Sequence, residues 1–507
     1  MGYKEQELAL PTDYSEEQLK RKIQKSNGIS NFSYSIIKKS LDARKKDNIL
    51  WRIKVIISSD SLKGKYSEPL SLEIPYEKRK EKVLVAGSGP AGFFSAYVLQ
   101  KAGYEVTLIE RGLDVDSRST GIESFEAGGD FNSKANYAFG EGGAGTFSDG
   151  KLTSRTKSIK RERDFIFDSY IKAGAPEEIS YLTHPHLGTD NLKLIVKNLR
   201  ADFEAIGGRI VFDCRLTDIE TVSGTVKSAE TSRGRMDFDY LFIAPGHSSF
   251  ETYRMLIKRG VEFRNKNFAI GSRVEHPQSI INLAQWGHAE LAGVKAAEYR
   301  LTSQTDTDHP VYTFCMCPGG TVVPATAYEG NNIVNGMSLY GRDGEFANAA
   351  CVAGVNIEQL TGHESSPLET LDWLEALERA FFGISPDYKA PAVSIKSFLA
   401  QEITSPLGKS SFPLGLTEYP IWEALPPSVS RAMRHGLQDF SRKIKGWDTG
   451  IIIGLESKTS APVQVLRDET GLADGFDNLF IVGEGSGWAG GIISSAADGI
   501  RSAMSLI

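Results

Sequence analysis

Gly87-Ser88-Gly89-Pro90-Ala91-Gly92 spaces three glycines as G-x-G-x-x-G directly after the apolar run Lys82-Val83-Leu84-Val85-Ala86. The chemistry of that spacing is phosphate binding. Gly87 permits a tight turn, Gly89 lets backbone approach a pyrophosphate, and Gly92 lets a helix pack closely on a strand. The pyrophosphate then meets the free N–H groups at the positive end of the helix opened by Pro90 and Ala91. Glu110 lies 18 residues past Gly92, at the end of the second strand Glu105–Ile109, and is placed to accept hydrogen bonds from the adenosine ribose. Spacing alone would be weak among 50 glycines, but strand, loop, helix, strand and acid all occur in order.

A distant segment decides between two dinucleotides. The apolar run Asn478–Val482 precedes Gly483-Glu484-Gly485-Ser486-Gly487-Trp488-Ala489-Gly490-Gly491, and a helix follows to the C-terminus. Glu484 can reach the ribityl or phosphate side of a flavin. The helix begun by Gly490, Gly491 and Ile492 can point N–H groups at flavin O2/N1, where negative charge collects on reduction. A simple NAD dehydrogenase has no use for such an element, so FAD, held non-covalently, is the expected cofactor. Residues 150–440 hold no second G-x-G-x-x-G after a strand. NAD(P)H is left open as an external donor without a dedicated domain.

Candidate reactive groups are fewer. Cys315 and Cys317 form a CxC, either a strained and easily reduced pair or two small core residues. His186, His247 and His276 are candidate proton donors, His276 foremost because Arg273 and Glu275 flank it. No zinc-type spacing accompanies them, so no metal is expected.

The elements that must position these groups read as follows. A capped helix from Asp13 or Ser15 to about Ser26, a second helix from Ser33 to about Lys46, and strands at 49–57 and 69–75 form a basic α+β domain, 1–77. The FAD-binding domain takes 78–250, with a parallel sheet, a helix at 191–205 and a β-meander at 216–222, 225–231 and 235–237. Residues 251–444 make an inserted α+β cap or substrate domain, with helices near 370–381 and 428–444, and 445–507 returns to the FAD-binding domain. The fold class is therefore α/β, with a Rossmann-type FAD-binding domain.

The layout resembles the glutathione-reductase-type FAD fold and, more narrowly, a family of uncharacterised bacterial FAD-dependent dehydrogenases. The resemblance rests on Ser40–Lys46, the first glycine motif, Gly140–Leu152, His184–Asp190, Arg273–Gln278, Phe314–Gly320, Glu456–Val463 and Gly483–Gly499. It implies that Gly143, Ala144, Gly145, Thr146, Asp149 and Lys151 lie along the flavin. It also implies that backbone near Leu216 holds the adenine, that Arg111 contacts the adenosine, and that Gly246, after the strand 240–244, joins the cofactor-contacting set. The CxxxxC of classical disulfide reductases is absent from the first helix.

Composition sets the outer limits. Forty per cent hydrophobic and 24% charged residues describe a globular chain, and no apolar run reaches the ~20 residues that span a bilayer. The charged start and four cysteines point to the cytoplasm. Net charge is −6, yet residues 1–80 carry 17 Lys/Arg against 11 Asp/Glu. That basic region reads as a solvated or docked surface, with nucleic acid or an acidic partner as the alternative. The expected function is FAD-dependent hydride or electron transfer to or from a small organic molecule, with a redox partner protein left open. The alternatives are a flavin-dependent RNA-modifying or RNA-binding protein, or a non-catalytic flavin sensor.

Overall fold

A computed structural model describes residues 1–507 apart from 68–70, 155 and 305–308. Its central layer is a five-stranded parallel sheet in the order 479–481, 240–243, 82–86, 105–109, 209–211. Alternation along each strand sends side chains to opposite faces. Val83 and Val85 pack with Phe94, Leu99, Ile195 and Ile500 beneath the helices Pro90–Lys101, Gly188–Ala205 and Gly491–Met504. Leu84 and Ala86 face the other way, onto Ile219, Val226 and Leu256 of the meander and the Phe250–Lys258 helix. The meander runs Leu216–Val222, Thr225–Thr231 and Gly234–Met236.

The second layer is a seven-stranded sheet ordered 302–303, 311–317, 346–355, 268–277, 451–456, 390–394, 416–418. It is antiparallel except where Ala390–Ser394 pairs with Leu416–Glu418. The helices Pro367–Ile384 and Pro427–Lys443 cover its core, around Trp447, Phe440 and Phe381. The expected boundary at 444/445 shifts here: Ile451–Glu456 lies inside the cap sheet, paired with both 268–277 and 390–394. The chain returns to the flavin layer only after Val463–Val465, which pairs with Phe263–Asn265, the strand by which it left.

The N-terminal domain departs from expectation in one element. Ser33–Asp42 is a strand, not the start of a helix, and pairs along Leu50–Ser59, which also pairs with an unanticipated strand, Gly2–Pro11. Tyr34 and Ile36 pack against Leu8, Ile23, Val55 and Ile57, so cross-strand burial overrides a helical spacing. The helix Glu16–Asn27 forms as expected, with a capping box between Ser15 and Gln18 and Gly28 in the left-handed conformation at its end. Residues 71–75 carry no strand, and 69–70 lie outside the described residues. Many of the basic side chains are partnered: Lys20 with Glu16, Arg21 with Glu17, Lys54 with Glu5, and Arg44 and Arg52 with Asp42. The domain docks through Lys39, whose N–H donates to the Tyr181 carbonyl (2.7 Å) and whose carbonyl accepts from Thr183 (3.0 Å).

Candidate functional site

Three glycine segments, far apart in sequence, meet at the C-terminal ends of the parallel strands. Gly87 has φ +105°, and a side chain there would strike the Ala244 carbonyl at 2.3 Å. A Cβ on Gly92 would stand 1.9 Å from the Gly87 carbonyl oxygen, so helix and turn touch backbone to backbone. The second loop lies across the first, since a Cβ on Gly143 would sit 3.0 Å from Gly89 Cα. The third crosses both: positions on Gly483 and Gly145 would meet Ala91 (2.5 Å) and Ile492 (3.1 Å).

The same positions leave room where a cofactor must run. A Cβ on Gly89 would meet nothing nearer than 3.8 Å, and Gly246 and Gly491 have nothing within 4 Å. Backbone is thus open to an approaching group at the N-terminus of the first helix, at Gly89, and at that of the last, at Gly491. These residues fit a dinucleotide with a flavin at its far end.

Glu110 holds the first two loops together. Its Oε2 accepts from the Ser88 N–H (2.9 Å) and hydroxyl (2.8 Å), and its Oε1 from the N–H groups of Gly112 (2.9 Å) and Gly140 (3.0 Å). The Glu110 carbonyl accepts from Cys214 N–H, two residues before Leu216, which brings the start of the meander beside the expected adenosine end. Arg111 is already engaged: its guanidinium lies 3.7 Å from the Phe139 ring centroid and pairs with Glu251.

Arg118 went unnoticed in the sequence. It is fully buried and donates to the carbonyls of Asn136 (2.8 Å), Tyr137 (3.0 Å), Glu141 (2.9 Å) and Gly143 (2.8 Å). One guanidinium thus shapes the whole second glycine loop. Glu141 has one oxygen on the Val115 N–H (2.7 Å) and the other 3.4 Å from the Arg200 guanidinium, and burial pushes its carboxyl up to about 7 against the pull of that cation. Burial does the same to Glu484, also to about 7, against the opposing pull of the Gly491 N–H and Lys266.

Asp149 and Lys151 join the flavin loop to the cap. Asp149 is buried, takes Lys151 (2.5 Å) and both ends of Arg342 (3.0 and 2.6 Å), and these cations hold its carboxyl well below the usual range despite burial. Lys151 also donates to the Met316 carbonyl, and Arg342 to Glu298. Arg273, from the cap strand 268–277, donates to the Cys315 carbonyl (2.5 Å) and to Glu456 (2.9 Å). Two cations therefore grip successive carbonyls of a bulge in which Cys315 takes φ +42°.

That bulge separates the two cysteines: Cys315 is exposed and Cys317 is buried. Cys317 Sγ lies 3.6 Å from Arg273 Nη2 and 3.3 Å from the Cys315 carbonyl oxygen. Surrounding protein pushes the Cys315 thiol up to about 12 in spite of Lys151 and Arg273.

The histidines do not assemble into one site. His276 is fully buried against Trp447, with Nε2 2.8 Å from its carbonyl oxygen, and burial lowers it to about 4. Arg273 and Glu275 share the opposite face of the strand, by its two-residue period, so neither can orient His276 as the spacing suggested. Its surroundings make it a packing residue. His186 lies beside Asp149 and Arg342, with Nε2 3.2 Å from the Tyr340 carbonyl oxygen, and burial lowers it to about 4. His247 follows the strand 240–243 and meets the Ser248 hydroxyl at 2.7 Å. Among the described residues no group of His, Cys, Asp and Glu is arranged to hold a metal, and no helix is long and apolar enough to cross a membrane.

Comparison with known proteins decides the family. Residues 80–124 match an FAD binding domain, residues 267–459 the C-terminal domain-like part of an FAD-dependent protein, and residues 3–58 a domain of unknown function. A protein of Clostridium beijerinckii, named as uncharacterized, is 39% identical over 96% of this chain and 95% of its own. The chain belongs to this family of FAD-dependent proteins. FAD is thus its cofactor. Among solved structures, CtdE in complex with FAD is 10% identical, with 84% of each chain covered and a TM-score of 0.34. An oxidoreductase from Methanosarcina mazei is 12% identical over 84% of this chain and 100% of its own, with a TM-score of 0.37. Likenesses so distant say nothing of substrate.

Proposed function

We propose that this FAD-dependent protein is an oxidoreductase acting on a small organic molecule in the cleft between the flavin layer and the cap sheet. The observation that supports it best is the convergence of three glycine segments, open at Gly89 and Gly491, with the second segment tied to the cap through Asp149, Lys151 and Arg342. The flavin supplies two-electron chemistry when bound. The chain's own residues would position it: Gly89 and the N-terminus of the Pro90 helix would hold the pyrophosphate, and the N–H groups at Gly490–Ile492 would stabilise the negative charge that reduction brings. Lys151 fixes the cap bulge against the flavin loop. Cys315 carries an exposed, protonated thiol, suited to donating a hydrogen bond rather than to attacking as a nucleophile.

The experiment is anaerobic stopped-flow reduction of the purified yellow protein with NADH, NADPH and candidate substrates. Flavin bleaching by a donor and its recovery with an acceptor is the expected result. A colourless protein that cannot be reconstituted with FAD overturns the reading. A flavin that no donor reduces turns it toward a sensor.

A further inference from the structure

A recess lies away from the glycine segments, on the seam where the N-terminal domain meets the main body. It encloses about 960 Å³, within the range of roughly 300–1,000 Å³ typical of small-molecule sites, and domain seams are where such sites concentrate. The wall from the N-terminal domain carries Tyr14, Tyr34 and Lys39; the facing wall carries Tyr181 and Glu177. The family assignment gives this recess no role, and no part of the flavin chemistry uses it.

Its lining selects for positive charge. The Lys39 ammonium already lies over two rings, 5.1 Å from the Tyr14 centroid and 4.5 Å from that of Trp51. Those faces therefore accept a cation, as aromatic faces do. Carboxylates come from both walls: Asp13 and Glu16 from the N-terminal domain, Glu177 from the other side, with Glu178 behind it. Glu16 is paired with Lys20 at 2.7 Å, while Asp13 and Glu177 have no cation within 4 Å among the described residues. The three tyrosines report the resulting field. Burial first, then one another and these carboxylates, push the Tyr14 hydroxyl up to about 12 and raise Tyr34 and Tyr181 as well. An anion is disfavoured at all three positions. Lys20, through Glu16 and Tyr34, and Lys39 oppose that field, and burial weakens the hold of Lys39 on its proton.

We infer that this seam binds an aliphatic polyamine, its ammonium groups lying over Tyr14, Tyr34 and Tyr181 and paired with Asp13 and Glu177, in competition with the Lys39 ammonium. A ligand there would touch both domains at once and so reinforce the Lys39–Tyr181 seam. The inference does not rest on the oxidoreductase reading.

The test is calorimetric titration of the FAD-loaded protein with spermidine in 0.15 M salt, where loose surface association is largely screened. One site per chain is expected. Glu177→Gln and Tyr34→Leu should each weaken it about tenfold, in line with loss of one close charge or ring contact. Lys39→Met should tighten it by removing the internal competitor. Glu177 is exposed, so its variant keeps the test decisive if Tyr34→Leu folds poorly. Absence of heat with millimolar spermidine overturns the inference. So does spermidine binding that Glu177→Gln leaves unchanged, or a Lys39→Met variant that loses binding of inorganic phosphate, which would mark an anion site. Flavin absorbance, read in parallel, should not change in any variant.

Discussion

Gly89 and Gly92 are three residues apart and do different work, so an alanine at each separates cofactor binding from folding. Gly89 has φ −65° and ψ 176°, which alanine adopts freely, and its Cβ would meet nothing nearer than 3.8 Å. A glycine-to-alanine change at such a position shifts stability by no more than about 1 kcal/mol. At Gly92 the Cβ would stand 1.9 Å from the Gly87 oxygen, against an ordinary contact near 3.4 Å, so backbone must move by more than an ångström. Overpacking of that kind costs about 1–3 kcal/mol, or more. A methyl on Gly89 instead occupies the path of the pyrophosphate. Loss of a single charge-assisted hydrogen bond, about 1.5–3 kcal/mol, weakens FAD by about ten- to a hundredfold. Urea unfolding of the FAD-free protein and fluorescence titration with FAD measure the two quantities. Gly89→Ala should unfold with the parent yet bind FAD weakly, while Gly92→Ala should lose both. A Gly89→Ala protein that binds FAD within threefold of the parent refutes a pyrophosphate path over this residue.

Arg342→Ala removes both of its hydrogen bonds to the buried Asp149 and should cost about 3–5 kcal/mol in the same urea assay; a loss below 1 kcal/mol shows that Lys151 alone suffices. Cys315, raised to about 12, should react with iodoacetamide at pH 8 roughly a thousandfold more slowly than free cysteine, and labelling at the free rate would show a thiolate that surrounding cations sustain. Glu141 is raised to about 7 from its ordinary value, so the folded state holds its proton more tightly than the unfolded chain. Its contribution to stability is full below about pH 4.5 and lost as pH rises through 7, so Glu141→Gln should flatten the decline of FAD-free stability over that interval. Parallel pH profiles for parent and variant would place the proton elsewhere.

The flavin layer was legible because its signals are local. Strand, glycine loop and helix follow one another within 82–102, and the alternation of Val83 and Val85 against Leu84 and Ala86 states which face meets which neighbour. The buried clamps were not legible. Arg118 sits in a helix like many others, and only the return of residues 136–143 gives it four carbonyls. Arg342 and Asp149 are 193 residues apart, and no periodicity connects them. His276 failed for a different reason: sequence neighbours were taken as spatial neighbours, whereas a strand turns 273 and 275 away from 276. Ser33–Asp42 failed because its partner strand, not its own spacing, decides its structure.

The placement of Ile451–Glu456 within the cap sheet has a consequence for how the molecule is made. That strand fills an interior position, while Leu479–Ile481 and Gly491–Met504 complete the flavin layer. Both large domains thus take an essential piece from residues beyond 450. Residues 2–59, by contrast, carry a sheet and a helix of their own. Until residues 451–456 are made, the strands Phe268–Pro277 and Ala390–Ser394 each keep an unpaired edge facing the gap, and Tyr240–Ile243 lacks its outer neighbour until 479–481 follow. Such edges invite pairing with other chains. A stop codon between residues 440 and 450 should accordingly give aggregated rather than merely inactive protein, which a solubility assay of the truncated chain checks.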